Sequence, residues 1–196
     1  MKKYILITGA SSGIGHEMAR QLAALKYNLI LIARSEDKLK AMQQELSSKH
    51  GNDVQFITKD LSHTEQAVEL YDAIKSAKYE VSHLVNNAGF GNYGSFLETS
   101  LDEELNMIDL NISSLVILTK MFARDMVARK SGRIMNVSSL LAFLPFPYQS
   151  VYSATKSFVQ AFSETLAAEL EGSGGWLRHL PPASQKQRLF HLKCGK

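Results

Sequence analysis

The chain has one cysteine, Cys194, among 196 residues. No internal disulfide can form, and nothing in the thiol content points to an oxidising compartment. The histidines (His16, His50, His63, His83, His179 and His191) are scattered without metal-ligand spacing, which argues against a metal site. No apolar run approaches membrane-span length. Lys2 and Lys3 precede Tyr4–Ile7, but that stretch stops at Thr8-Gly9, too soon for a secretory signal. Cytoplasm is the expected location. Acidic residues end at Glu171, whereas Arg178, Lys186, Arg188, Lys193 and Lys196 follow it. The net charge of +3 is therefore a property of the tail, and the body is slightly acidic. Without interleaved aromatics or a known module, that tail does not read as a nucleic-acid site. Repeats and low-complexity segments are absent from residues 1–172. At 45% hydrophobic and 21% charged, the composition is that of one soluble domain with a real core.

The most informative feature present is Tyr152-Ser-Ala-Thr-Lys156, with Ser139 upstream. Residues four apart share a helix face, so the Lys156 ammonium is expected beside the Tyr152 phenol. A free tyrosine titrates at about pH 10, and a neighbouring cation favours the phenolate. Such a phenol can give a proton to a carbonyl oxygen or take one from an alcohol.

The second signal is N-terminal. Tyr4–Ile7 reads as a short strand, and Met18, Leu22 and Leu25 follow helical spacing. Between them lies Thr8-Gly9-Ala10-Ser11-Ser12-Gly13-Ile14-Gly15. Gly9 permits a tight turn, while Gly13 and Gly15 let a pyrophosphate approach backbone N–H groups. Ser11 and Ser12 add hydroxyl donors. The spacing is G-x-x-x-G-x-G, not the G-x-G-x-x-G of other dinucleotide folds.

Strands are expected at 3–8, 28–33, 53–58, 82–86 and 133–138, and helices at 13–25, 36–49, 62–77, 102–129 and 152–171. Strands rich in Ile, Leu and Val without clean alternation are covered on both faces. Alternation with helices implies a parallel, doubly wound α/β sheet. Ser62 and Glu65 read as a capping box for the third helix. Leu105, Ile108, Ile112, Leu115, Phe122 and Met126 form one expected core stripe, and Val159, Phe162, Leu166 and Leu170 another.

Thr8–Gly15, Asp60, Asn86-Asn87-Ala88-Gly89, Asn111, Ser139 and Tyr152–Lys156 together resemble the short-chain dehydrogenase/reductase family, in its order and at its intervals, over roughly residues 3–172. The resemblance implies a single Rossmann-like catalytic domain over 1–172 and hydride transfer between NAD(P)(H) and a small-molecule carbonyl or secondary alcohol. It makes Tyr152 the general acid or base and gives Lys156 the nicotinamide ribose as well. Ser139 polarises the substrate oxygen, with Ser138 as its competitor, and Asn111 orders a relay water. Gly9, Ser11, Ser12, Gly13, Ile14, Gly15, Asp60, Leu61, Asn87, Ala88 and Gly89 line the cofactor, with Asn86 mainly structural. Phe90–Phe96 is expected to border the substrate pocket. The family often forms homodimers or homotetramers through the corresponding helices. NAD-selective sites carry an acid at the end of the second strand. Ala33 stands there instead, followed by Arg34, whose guanidinium suits the 2′-phosphate of NADP(H), with Lys38 in support.

After Gly172 the resemblance stops. The family's sixth strand, Pro-Gly turn, substrate helix and seventh strand are not recognisable, and residues 173–196 read as a basic tail without a strand pattern. The expectation is a reading-frame shift near Gly174 or Gly175. One permitted back-translation of Trp176–Pro181, moved by a base, gives Gly-Cys-Val-Thr-Cys-Leu. The lost strands would leave an open sheet edge. Two functions follow: an NADP-dependent oxidoreductase that interconverts a carbonyl and a secondary alcohol, or a remnant that binds NADP without turnover.

Overall fold

The computed structural model of the chain describes residues 2–171 and, by their backbone, residues 176–180. Strand β1 (Lys3–Thr8) leads into α1 (Gly13–Ala24), followed by β2 (Asn28–Ala33), α2 (Glu36–His50), β3 (Val54–Thr58) and α3 (Thr64–Ser76). After β4 (Glu80–Asn86) come α4 (Leu101–Ile108), a π-helical turn (Asp109–Ser113) and α5 (Ser114–Ala128). Then follow β5 (Arg133–Val137), a 3-10 turn (Leu140–Ala142), α6 (Ser150–Glu169) and β6 (Trp176–Leu180).

The six strands make one parallel sheet in the order β3-β2-β1-β4-β5-β6. The chain walks outward from β1 to β3 and then crosses back to β4. That reversal opens a crevice at the carboxyl ends of β1 and β4. β1 shows why β1 and β2 carry unbroken apolar runs. Tyr4 and Leu6 pack with Leu70, Ile74 and Phe122 on one face. Ile5 and Ile7 pack with Ala19, Leu22, Leu39 and Met42 on the other. Successive residues point to opposite faces, and here both faces are dry. A fully buried Leu or Ile contributes about 1.5–3 kcal/mol relative to exposure, so these two layers hold the crevice walls rigid.

The first five strands and the helical spans lie within two residues of expectation. The differences each have a cause. The helix expected over 102–129 contains the π turn, whose wider winding rotates everything beyond it. Leu105 is consequently exposed, while Leu115, Phe122 and Met126 of the same expected stripe are buried. The Ser62 capping box does not form. The Ser62 amide and hydroxyl both donate to Asp60 Oδ1, at 3.0 and 2.8 Å, and His63 precedes the helix. Asp60, two residues back, offers a nearer acceptor and closes a local turn. The run Leu101–Ala128, against expectation, is long and apolar enough to cross a membrane by length and composition. Its Leu118, Phe122 and Met126 are buried against the sheet.

The largest correction concerns the segment after Gly172, expected to hold no strand. Trp176–Leu180 pairs with β5 in parallel, with Ile134 opposite Leu177 and Val137 opposite Leu180. Arg178 and His179 break the apolar pattern that sequence reading relies on. The exposed edge of β5 nonetheless presents N–H and C=O groups that need partners, and the backbone ladder supplies them. The rest of the expected tail, including Cys194, lies outside the described residues.

Candidate active site

At the end of β1 the chain must turn at once into α1. Gly9 and Gly13 take φ values of 65° and 56°, a left-handed conformation in which only glycine is unstrained. Gly15 is needed for space instead: an added Cβ would overlap the Gly9 carbonyl oxygen and lie 2.5 Å from Asn87 Nδ2. Asn87 Nδ2 donates to the carbonyls of Thr8 and Gly9, at 2.9 and 3.2 Å. Thr8 Oγ1 in turn accepts from the amides of Asn87 and Ala88, at 3.0 and 2.9 Å. The glycine turn and the Asn87–Gly89 segment are thereby one rigid piece. Ser12, at the N-cap of α1, makes no side-chain cap bond. The first amides of the helix keep their partial positive charge for an anion.

A cleft of about 600 Å³ runs from Arg34, Lys38, Asp60 and Leu61, past Gly9, Ser11–Ile14 and Asn87–Gly89, to Ser138, Tyr152 and Lys156. Of the sequence-predicted residues, Gly15, Asn111 and Ser139 stand behind or beside this lining. Arg34 is exposed, with Nη1 3.9 Å from Asp60 Oδ2. Burial opposes ionisation of Asp60. The Ser62 hydroxyl and amide outweigh it, helped by the charges of Arg34 and His63, and hold the carboxyl below its ordinary value. Leu61 is buried, and its carbonyl accepts the Ser114 hydroxyl at 2.6 Å. A cationic rim, a helix N-terminus without a side-chain cap and a Tyr–Lys pair at the far end fit a dinucleotide laid along the cleft.

At that far end, Tyr152 sits in the first turn of α6 and Lys156 one turn later, its Nζ 5.8 Å from the phenol ring centroid. Lys156 is buried and donates to the Val137 carbonyl at 3.0 Å. Burial brings its ammonium down to about 8. The Tyr152 ring lies against Gly91, where an added Cβ would come within 2.7 Å of Cδ2. The two serines separate by their bonding. Ser138 spends its proton on the Lys156 carbonyl, at 3.1 Å. Among the described residues Ser139 Oγ only accepts, from the Leu141 amide at 3.3 Å, so its O–H is available to donate. Asn111 is buried in the π turn, and its amide bonds Phe90 and Thr155 rather than Lys156.

Of the loop expected to border the substrate pocket, Phe90 lines the cleft. Tyr93, Phe96 and Leu97 are exposed, as are Leu140, Phe143, Leu144, Phe146 and Tyr148. The Gly94 amide donates to the Tyr148 carbonyl at 2.9 Å, and the Tyr93 and Tyr148 rings lie 5.5 Å apart. Sequence reading missed Thr8, the clasp just described. It also missed a buried chain in which Asn86 Nδ2 donates to Thr119 Oγ1 and Asn136 Oδ1, and Asn136 Nδ2 to Ser163 Oγ. Asn136 is a polar residue inside the apolar β5, and that was the signal available.

Comparison with known proteins agrees with this geometry. The family model described as short chain dehydrogenase matches residues 3–175. The very-long-chain 3-oxoacyl-CoA reductase of Phaeosphaeria nodorum is 35% identical, over 87% of this chain and 51% of its own length. The 17-beta-hydroxysteroid dehydrogenase type 3 of Mus musculus is 36% identical, over 94% of this chain and 60% of its own. This chain thus spans between half and two thirds of the length of those relatives. A short-chain dehydrogenase from Sphingobium yanoikuyae, solved in complex with NADPH, superposes with a TM-score of 0.87 at 32% identity, covering 93% of this chain and 71% of that one. On fold, motifs and relatives together, the chain belongs to the short-chain dehydrogenase family, oxidoreductases with a Rossmann-like fold that bind NAD(P).

Proposed function

We propose that the chain is an NADP(H)-linked oxidoreductase that interconverts a carbonyl and a secondary alcohol carried on a large apolar body. The observation that carries this reading is the pairing of Tyr152 with the buried Lys156 at one end of a cleft whose other end bears Arg34, with the Ser139 hydroxyl beside the lining. Arg34, Lys38 and the amides of Ser11–Gly15 would hold the phosphates, Asp60 and Leu61 the adenine, and Lys156 the nicotinamide ribose. Bound NADP(H) supplies or accepts the hydride. Ser139 donates to the substrate oxygen and so polarises the carbonyl. Tyr152 delivers the proton to that oxygen as reduction proceeds. The buried Lys156 ammonium stabilises the negative charge left on the phenol oxygen. In the oxidative direction each transfer reverses.

The substrate's apolar character rests on exposed aromatic and aliphatic side chains of two loops that touch at Tyr93 and Tyr148, which this reading takes as the rim of the substrate entrance. The relatives named for 3-oxoacyl-CoA and 17-beta-hydroxysteroid chemistry support the same reading. The test is NADPH consumption with a panel of apolar ketones. Tyr152→Phe is expected to lower kcat by about 10²–10⁴-fold, with the Kd for NADPH little changed. Arg34→Ala should weaken NADPH binding about tenfold while leaving NADH binding alone. Turnover that survives Tyr152→Phe would overturn the mechanism. NADPH binding without any turnover would move the reading to a nucleotide-binding module.

A further inference from the structure

We infer that Thr155 is a positioning residue, a buried hydroxyl that keeps the Tyr152 phenol in place by locking Asn111 onto the loop at Phe90. Thr155 lies between Tyr152 and Lys156 in sequence and is 1% exposed, as is Asn111. Its Oγ1 donates to the Tyr152 carbonyl at 2.8 Å, the back-bond that a helical threonine makes three residues up the chain. That bond aims its lone pairs at the π turn, where Oγ1 accepts from Asn111 Nδ2 at 3.0 Å.

Asn111 completes a circuit. Its Nδ2 also donates to the Phe90 carbonyl, at 2.9 Å, and its Oδ1 accepts from the Phe90 amide, at 3.1 Å. The carboxamide therefore grips the backbone of Phe90 from both sides. The glycines beside Phe90 carry the grip to the reacting groups. A Cβ at Gly89 would lie 2.8 Å from Asn111 Oδ1 and 3.5 Å from Lys156 Nζ. At Gly91 it would lie 2.7 Å from the Tyr152 ring. The loop thus forms a floor under the phenol, and the hydroxyl that fixes the floor is three residues from the phenol itself.

All three bonding positions that Asn111 uses are internal, and neither Asn111 nor Thr155 is open to water. Removing the Thr155 hydroxyl strips one amide hydrogen of its acceptor in a place where no solvent can replace it. The carboxamide then has reason to turn, and the Phe90 backbone loses its fixed partner. Serine at the same position keeps the hydroxyl and the circuit.

The experiment compares the parent chain, Thr155→Val and Thr155→Ser by amide hydrogen exchange without cofactor, then by steady-state kinetics. In Thr155→Val, amides of residues 87–93 should exchange about tenfold faster, while α1 and β2 match the parent. Its kcat should fall about tenfold to a hundredfold, with KM for NADPH unchanged. Thr155→Ser should recover both properties. If Thr155→Val does not fold, Thr155→Ala carries the same comparison. Unchanged exchange at 87–93, a rise spread evenly over the chain, or failure of serine to recover would each overturn the inference. Its kinetic part rests on the proposed reaction. A parent without turnover would sink that reaction, and the exchange comparison would still decide the circuit.

Discussion

The two ends of the cleft are built by opposite means. The nucleotide end is made of backbone: glycines in left-handed turns, a helix N-terminus without a side-chain cap and a threonine that pins two loops together. The side chains of its turn are small and its atoms are in contact with one another, with Arg34 and Lys38 added at the rim. The proposed mouth is made of side chains, large and apolar, standing in solvent on two loops joined by one backbone bond and one ring contact. A backbone cradle can recognise only what all its ligands share, here a run of phosphates. An apolar rim of loosely tied loops recognises shape and hydrophobicity, and it tolerates exchange. On the proposed function, one chain thereby combines a fixed cofactor with an adaptable substrate.

Breaking the rigid end should have the largest effect, and its two inner glycines separate space from conformation. Gly15→Ala drives a Cβ into the Gly9 carbonyl oxygen and Asn87 Nδ2, and backbone must move to admit it. Stability is expected to fall by about 2–3 kcal/mol, with NADPH affinity falling alongside. Gly13→Ala meets nothing within 4 Å, and its only penalty is the left-handed φ, about 1–2 kcal/mol. Urea titrations of both variants, with and without NADPH, check the contrast. Equal losses would mean that the cradle is not set by the close approach of the two loops.

The same contrast explains what was legible in the sequence. The first five strands could be read because each carries Ile, Leu or Val between turn-forming stretches. The cradle could be read because few residues other than glycine satisfy it. Tyr152 and Lys156 could be read because helical spacing alone brings them together. The π turn could not, since Asp109–Ser113 carries no residue type that marks one extra residue of winding. Asn111 was singled out by resemblance, yet its actual partners, Phe90 in a loop and Thr155 in α6, are brought to it only by the tertiary fold. β6 was missed because strand pattern was sought in side chains, whereas the demand came from the open backbone edge of β5.

Lys156 lies where the two ends meet, and it tests how much stability the site gives up for chemistry. Burial lowers its folded value to about 8 from an ordinary 10.5. Between those values the unfolded chain holds more protons, so stability rises with pH across that window, and below about pH 8 the full cost of the buried charge is present. Lys156→Met should therefore stabilise the chain at about pH 7 by roughly 2 kcal/mol, a gain that shrinks as pH approaches 10.5. The same change should abolish turnover. Urea melts of parent and variant at the two pH values decide it. A destabilised methionine variant at neutral pH would mean that the bond to the Val137 carbonyl outweighs the desolvation.

The mouth should show the smallest effect on the fold and a selective one on function. Leu97 is 92% exposed, so it packs against nothing that folding requires. Leu97→Asn is expected to leave stability within about 0.5 kcal/mol. If the rim closes on an apolar substrate, losing that contact should raise KM about threefold to tenfold for large apolar ketones. KM for NADPH, and for ketones too small to reach the rim, should stay where they are. A Leu97→Asn chain with parental KM values throughout would detach the rim from substrate recognition. Such an apolar surface would then need another cover, and sedimentation of the parent against the variant would show whether that cover is a second copy of the chain.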